Sequence, residues 1–271
     1  MTTASLGAAR RLEAGRRASH GHARRLVERN LLVYLRRWWA LVSGFFEPFF
    51  YLLSIGLGLG RLVGSLHLDG HLVSYGVYVA PGLLASSAMN GSLFDATFSV
   101  FFKLKVAKTY EAILASPIGV RQVAIGEVVW CLMRGAIYAS AFLVIMSCLG
   151  LCYGPSAVLC FPAALLISFA FAGVGMGATC YMRSWQDFDY VSLASIPMFL
   201  FSAVFYPLSV YPGWLRIVVS CTPLYQGVDM LRELDAGLYT PALIGHAAYL
   251  VGLGLLGMLV ASRRLSLLLR P

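Results

Sequence analysis

The sequence predicts an all-α polytopic membrane protein with six transmembrane helices, an N-terminal amphipathic interfacial helix and a re-entrant external helical region before the last span. Composition is the first support: of 271 residues, 59% are hydrophobic and 12% charged, where a soluble domain carries about 25% charged and roughly 45–50% apolar residues. Mean hydropathy is the second, at +0.76. The third is the placing of the basic residues, which gather between apolar runs on one side. A soluble core of this size cannot hide such an excess, because a folded domain still needs a polar shell. A soluble enzyme and a disordered chain are both excluded.

Residues 1–38 contain no long apolar stretch but hold nine arginines: Arg10, Arg11, Arg16, Arg17, Arg24, Arg25, Arg29, Arg36 and Arg37. This basic region, and the aromatic-rich run after it, are too long for a cleaved signal peptide, so the segment reads as an uncleaved cytoplasmic leader. Ala23, Val27, Leu31, Tyr34 and Trp38 recur at helical spacing with arginines pointing elsewhere. That is the pattern of a helix lying in the membrane interface; the plainer alternative is a basic flank that only sets orientation.

The transmembrane domain follows over residues 39–262, with spans at about 39–62, 75–102, 123–149, 157–182, 190–206 and 242–261, then a short basic tail at 263–271. The fifth span is short and broken by Pro197 and Pro207. Between it and the last span, the chain turns at Pro207, runs as an amphipathic helix around Trp214 and turns again at Pro223, which suits a broken half-span with a re-entrant helix. With the N-terminus inside, seventeen basic residues are cytoplasmic, Arg61, Arg216 and Arg232 are external, and Arg134 lies within the third span. This is a strong positive-inside signal, and both termini face the cytoplasm of the cell membrane. The net charge of +9 therefore reports topology and anionic lipid rather than a nucleic-acid partner.

No nucleotide site is expected. The chain has three lysines and none follows a glycine, so a P-loop is impossible, and no cofactor is assigned to this chain. The glycine runs at 56–60 and 173–177 lie inside apolar spans and read as places of close helix contact. The six cysteines, 131, 148, 152, 160, 180 and 221, read as small packing residues. His67, Asp69 and His71 match no established ligand spacing, and no metal is expected. Ionisable residues inside spans are costly and face partners or cavities; these are Glu47, Asp95, Glu127 and Arg134. Asp95 lies on the span before Arg134, within reach across a helix pair, while Glu47, Asp95 and Glu127 sit towards the cytoplasmic side at headgroup level.

The most specific stretch is the loop from Lys105 to Glu127. Thr109 is placed to cap a short helix over Tyr110, Glu111, Ala112, Ile113, Leu114 and Ala115, which Ser116, Pro117, Ile118 and Gly119 end. T-x-E-A-x-L-x-S-P-I followed by G-E-V-x-W resembles the coupling region of ABC-2-type exporter permeases. The run F-S-x-V-F-Y-P-L-S…P-x-W-L…P-L-Y-Q-x-V-D-x-L-R resembles the C-terminal signature of that family, and Glu47–Pro48 before F-F-Y-L-L-S-I-G-L-G-L-G adds a third match. Together they are similar to the nodulation protein J branch, whose members work in lipo-oligosaccharide export.

The resemblance covers residues 25–265. It implies a six-span permease that forms a homodimer and binds two copies of a separate ATP-binding-cassette subunit, which holds the ATP and magnesium. The helix around Thr109–Leu114 would dock in that subunit, the leader helix would lie along the interface, and the re-entrant helices would fall at Pro207–Thr222. The cargo implied is an amphipathic lipid, glycolipid or drug. An ion-coupled transporter would need midplane acids or inverted repeats, and a membrane enzyme would need a cluster of His, Asp or Glu at one face; neither pattern stands out.

Overall fold

The computed structural model describes residues 49–68, 71–114 and 119–268. The leader, Glu47 and Pro117 lie outside them. The first segment runs through a π-helical stretch, Leu52–Leu59, into α1, Gly60–Val63. Strands β1, Ser65–Leu68, and β2, His71–Ser74, then pair antiparallel with Ser65 opposite Ser74 and Leu68 opposite His71. This hairpin departs from the all-α expectation. Asp69–Gly70 joins the strands, the residue pair that two-residue hairpins favour.

The helices that follow are α2, Tyr75–Phe101; α3, Thr109–Leu114; α4, Val120–Cys148; α5, Cys160–Thr179; and α6, Phe188–Phe201. Then come α7, Gly213–Ser220; α8, Pro223–Asp235; and α9, Ala242–Leu268. Three stretches among the described residues are long and apolar enough to cross a membrane: Gln122–Cys148, Pro155–Thr179 and Ala242–Leu268. At about 1.5 Å per residue, α2 is equally long. Its apolarity is diluted by Ser86, Ser87, Asn90, Ser92, Asp95 and Thr97, because it sits at the centre of the bundle and most of its residues are buried. The hydroxyls of Ser86, Ser92 and Thr97 donate to the carbonyls of Gly82, Ala88 and Leu93. Their polarity is thus satisfied within the helix.

Helix α6 has 14 residues, and at about 1.5 Å per residue it is shorter than a hydrocarbon core. Helix α9 continues through Arg263 and Arg264 to Leu268, so most of the expected tail is helical. Arg264 lies 4.9 Å from the centre of the Tyr181 ring.

The glycines separate into two kinds. A Cβ on Gly173 would lie 2.5 Å from the Gly254 carbonyl oxygen, and one on Gly257 would meet the Gly173 backbone. Here α5 and α9 pack backbone to backbone, as small residues permit in membranes. Among the described residues nothing lies within 4 Å of such a Cβ on Gly58 or Gly60, so none of them makes the expected close contact at these two positions. They fall instead in and just after the π-helical stretch. All six cysteines are free thiols; Cys131, Cys160 and Cys180 are buried, whereas Cys148 and Cys221 are exposed at helix ends rather than packed.

Candidate functional site

The packing of α2 against α4 brings Asp95 and Arg134 together as an ion pair. Arg134 also donates to the Tyr138 hydroxyl at 3.0 Å, one helical turn on, and Cys131 Sγ lies 3.5 Å from the Asp95 carboxylate. The pair borders a cavity of about 600 Å³ whose wall also includes Ser86, Asn90, Tyr138 and Ser195. Beyond α6 lies a second cavity of about 720 Å³, walled by apolar side chains such as Phe171, Val174, Val191 and Leu253. Ser195, on α6, borders both. Two cavities therefore flank one short helix, one with the ion pair and hydroxyls set among apolar side chains such as Leu83, Phe94 and Phe199, the other almost wholly apolar.

Towards the α3 end of the bundle, Lys103 Nζ reaches both oxygens of Glu127, at 2.8 and 2.7 Å. A group of Phe98, Phe101, Trp185 and Phe188 joins α2 to the start of α6, with the Phe98 and Phe188 rings stacked 4.2 Å apart. Helix α3 follows a turn in which Lys108 has φ +47°. Thr109 is the first residue of the helix rather than a cap before it, because Lys108 already supplies the turn. Tyr110 is 1% exposed, packed among Val100, Leu104, Val123, Val128 and Leu265. Burial, and then the adjacent Glu127 carboxylate, push its phenol well above the usual tyrosine range, so it stays neutral. Ile113 packs against the same cluster; it faces the bundle, which limits what it presents to a partner. Glu111, Ala112 and Leu114 lie on the same helix.

At the opposite end, Pro207 precedes a short turn, Leu208–Val210, and Trp214 is exposed on α7. Pro223 is the first residue of α8, where Thr222 Oγ1 accepts from the Tyr225 N–H at 3.4 Å. The region thus folds as two helices, Gly213–Ser220 and Pro223–Asp235, joined by a short turn.

Sequence reasoning missed Arg232, placing it among the external charges. It is buried, donating to the carbonyl oxygens of Tyr78 at 3.3 Å, Ala203 at 2.6 Å and Val204 at 2.9 Å, with its guanidinium 3.9 Å from the Tyr78 ring centre. Ala203 has φ +55°, which breaks the chain just after α6. Arg232 supplies donors to carbonyls that a continuing helix would have satisfied. The signal was available: Leu224, Val228 and Arg232 recur at four-residue spacing, which puts the arginine on the buried stripe. At this same end Asp229, Glu233 and His246 bring potential ligand atoms within 4.8 Å of one another. His67 and His71 fall in the hairpin, at register positions opposite Leu72 and Leu68.

Three stretches long and apolar enough to cross a membrane mark the class as a helical membrane protein. Residues 22–235 match the ABC-2 type transporter family, and the chain belongs to it. It is 29% identical to nodulation protein J of Rhizobium meliloti over 199 residues, 73% of this chain and 74% of that one. It is 27% identical to nodulation protein J of Rhizobium leguminosarum bv. viciae, over 77% of this chain and 80% of that one. Against nodulation protein J of Azorhizobium caulinodans the identity is 28%, covering 77% and 82%. The chain is a multi-pass membrane protein of a transport system.

Proposed function

We propose that this chain is the permease subunit of an ATP-binding-cassette exporter, moving an amphipathic lipid, lipo-oligosaccharide or drug across the cytoplasmic membrane. In this reading it forms a homodimer, has six spans with both termini cytoplasmic, carries the leader along the interface, and is driven by two copies of a separate ATPase. The cavity beside Asp95 and Arg134, where charge and hydroxyls are set among apolar walls, separated by α6 from an apolar groove, carries the proposal. A charged or hydroxylated head fits the first space and a hydrocarbon tail the second. Helix α3, with Thr109, Tyr110, Glu111, Ala112, Ile113, Leu114 and the following Pro117, is the proposed coupling element, held to the core by Tyr110. Asp95 pairs with Arg134 and Glu127 with Lys103.

The test is transport in vesicles containing the chain with and without its cassette partner, using a fluorescent glycolipid. Movement that needs both ATP and the partner, and survives collapse of the proton gradient, supports the reading. Movement driven by the gradient without ATP would overturn it.

A further inference from the structure

We infer that Asp229 and Glu233 of α8, together with His246 of α9, form a binding site for a divalent transition-metal ion of the zinc class, at the end of the bundle opposite α3. Asp229 and Glu233 are four residues apart and share one face of α8, and His246 faces them from the first turn and a half of α9. The three potential ligand atoms lie within 4.8 Å of one another. His246 Nε2 and Asp229 Oδ2 are 3.6 Å apart, close to the roughly 3.4 Å edge of a tetrahedron with ligands about 2.0–2.1 Å from its centre.

The hydrogen bonds around the cluster show a site built to hold its ligands in place. Gln226 Nε2 donates to the Ser220 carbonyl oxygen at 2.6 Å, which orients the amide. Its Oε1 is thereby turned to His246 Nδ1. That nitrogen must carry a hydrogen, leaving Nε2 as the ligating atom; Nε2 is buried and has no hydrogen-bond partner. Asp229 Oδ2 accepts from the Tyr225 hydroxyl at 3.1 Å, and Glu233 Oε2 accepts from Thr240 Oγ1 at 2.6 Å. Each ligand therefore has one outer partner, the arrangement that orients metal ligands.

The charge balance points the same way. Among the described residues no lysine or arginine pairs with Asp229 or Glu233, because Arg232 is committed to backbone carbonyls. Nε2 faces the Asp229 carboxylate oxygen at 3.6 Å, and a cation between them would be held by both. One imidazole with two carboxylates selects zinc, cobalt or manganese over calcium and magnesium, whose ligands are oxygens. The ion would join α8 to α9 and so brace the two-helix region against the last span.

The test uses the full chain, purified with a tag free of histidine, treated with chelator, and with Cys148, Cys152 and Cys221 replaced by serine. Equilibrium dialysis against zinc alone should give one equivalent per chain that is removed by His246→Ala, with a zinc-dependent rise in thermal midpoint that the variant loses. Glu233→Gln, at a partly exposed position, should weaken binding at least tenfold and serves if His246→Ala does not fold. Thr240→Val should weaken it by about 10-fold or more through loss of the outer hydrogen bond. Absence of saturable binding, or binding unchanged in both His246→Ala and Glu233→Gln, would overturn the site and leave only a histidine–carboxylate pair.

Discussion

Arg232 and the Asp95–Arg134 pair are both charges buried in an apolar bundle, yet they are held in different ways and should respond differently to substitution. Arg232 has neutral carbonyl partners spread over two backbone segments, at Tyr78 and at Ala203–Val204. A lysine has one compact ammonium and no planar fork to span them. Arg232→Lys should destabilise the fold by about 1.5–3 kcal/mol, the worth of a hydrogen bond to a charged group, read as a lower thermal midpoint in detergent. An unchanged midpoint would contradict the bracing role. Asp95 and Arg134 instead balance each other, and removing one leaves the other charged and buried, at a cost of about 3–5 kcal/mol. Arg134→Gln alone should therefore reduce folded yield, while Asp95→Asn combined with Arg134→Gln should recover it. If the cavity beside the pair handles a polar head, that double variant should fold yet lose transport; full transport would separate the pair from function. The Asp95–Arg134 pairing was legible because adjacent spans must be neighbours and both residues are costly in lipid. Arg232 was legible only through its four-residue spacing from Leu224 and Val228, a signal easily passed over in a region taken for an external loop.

At the scale of elements, the same residue type does opposite work in two helices. Gly173 and Gly257 let α5 and α9 touch through their backbones, while among the described residues nothing lies within 4 Å of a Cβ on Gly58. Gly257→Val should push the helices apart and cost about 1–3 kcal/mol through overpacking. Gly58→Ala should leave stability of the isolated chain unchanged or slightly raised, since it adds helix propensity without a clash. Paired thermal melts check both, and equal losses at the two sites would refute the distinction. Composition could not separate these glycines, because a G-x-G pattern states only that backbones are able to approach, not that a neighbour is there. The hairpin was missed for a related reason. Its strands are only four residues each, too short for alternation to stand out from the apolar runs on either side. The short α6 was visible in the sequence through Pro197 and Pro207, but the arginine that accommodates its broken end lies about 30 residues away and belongs to another helix.

For the whole molecule, the basic residues and the coupling element give the sharpest tests. In the proposed topology seventeen basic residues and both ends are cytoplasmic, with Arg61 and Arg216 external and Arg232 buried. A cysteine placed at Ser5 should stay unlabelled in intact cells, while one at Ser74 should react; labelling at Ser5 would reverse the topology. Coupling is the more demanding question, because the proposed coupling element is a helix of only six residues. Such a helix is too short to be stable alone, so what holds it is Tyr110, buried in the cluster that also contains residues of α2, α4, α5 and α9. Force applied to α3 would therefore pass into that cluster through Tyr110 and Ile113. Ile113 sits against the same cluster, so Ile113→Asp would damage the anchor as well as any docking face. Tyr110 gives a cleaner experiment. Tyr110→Phe keeps the ring, and because the phenol is neutral, no charge is lost; transport per ATP should be retained. Tyr110→Ala removes the ring, at a local cost of about 3–5 kcal/mol if it behaves like other buried aromatics. With the partner subunit present, that variant should still hydrolyse ATP but export less cargo for each molecule consumed. Measuring hydrolysis and vesicle transport on the same preparation gives the ratio directly. An unchanged ratio in Tyr110→Ala would show that the ring holds α3 in place without carrying its motion.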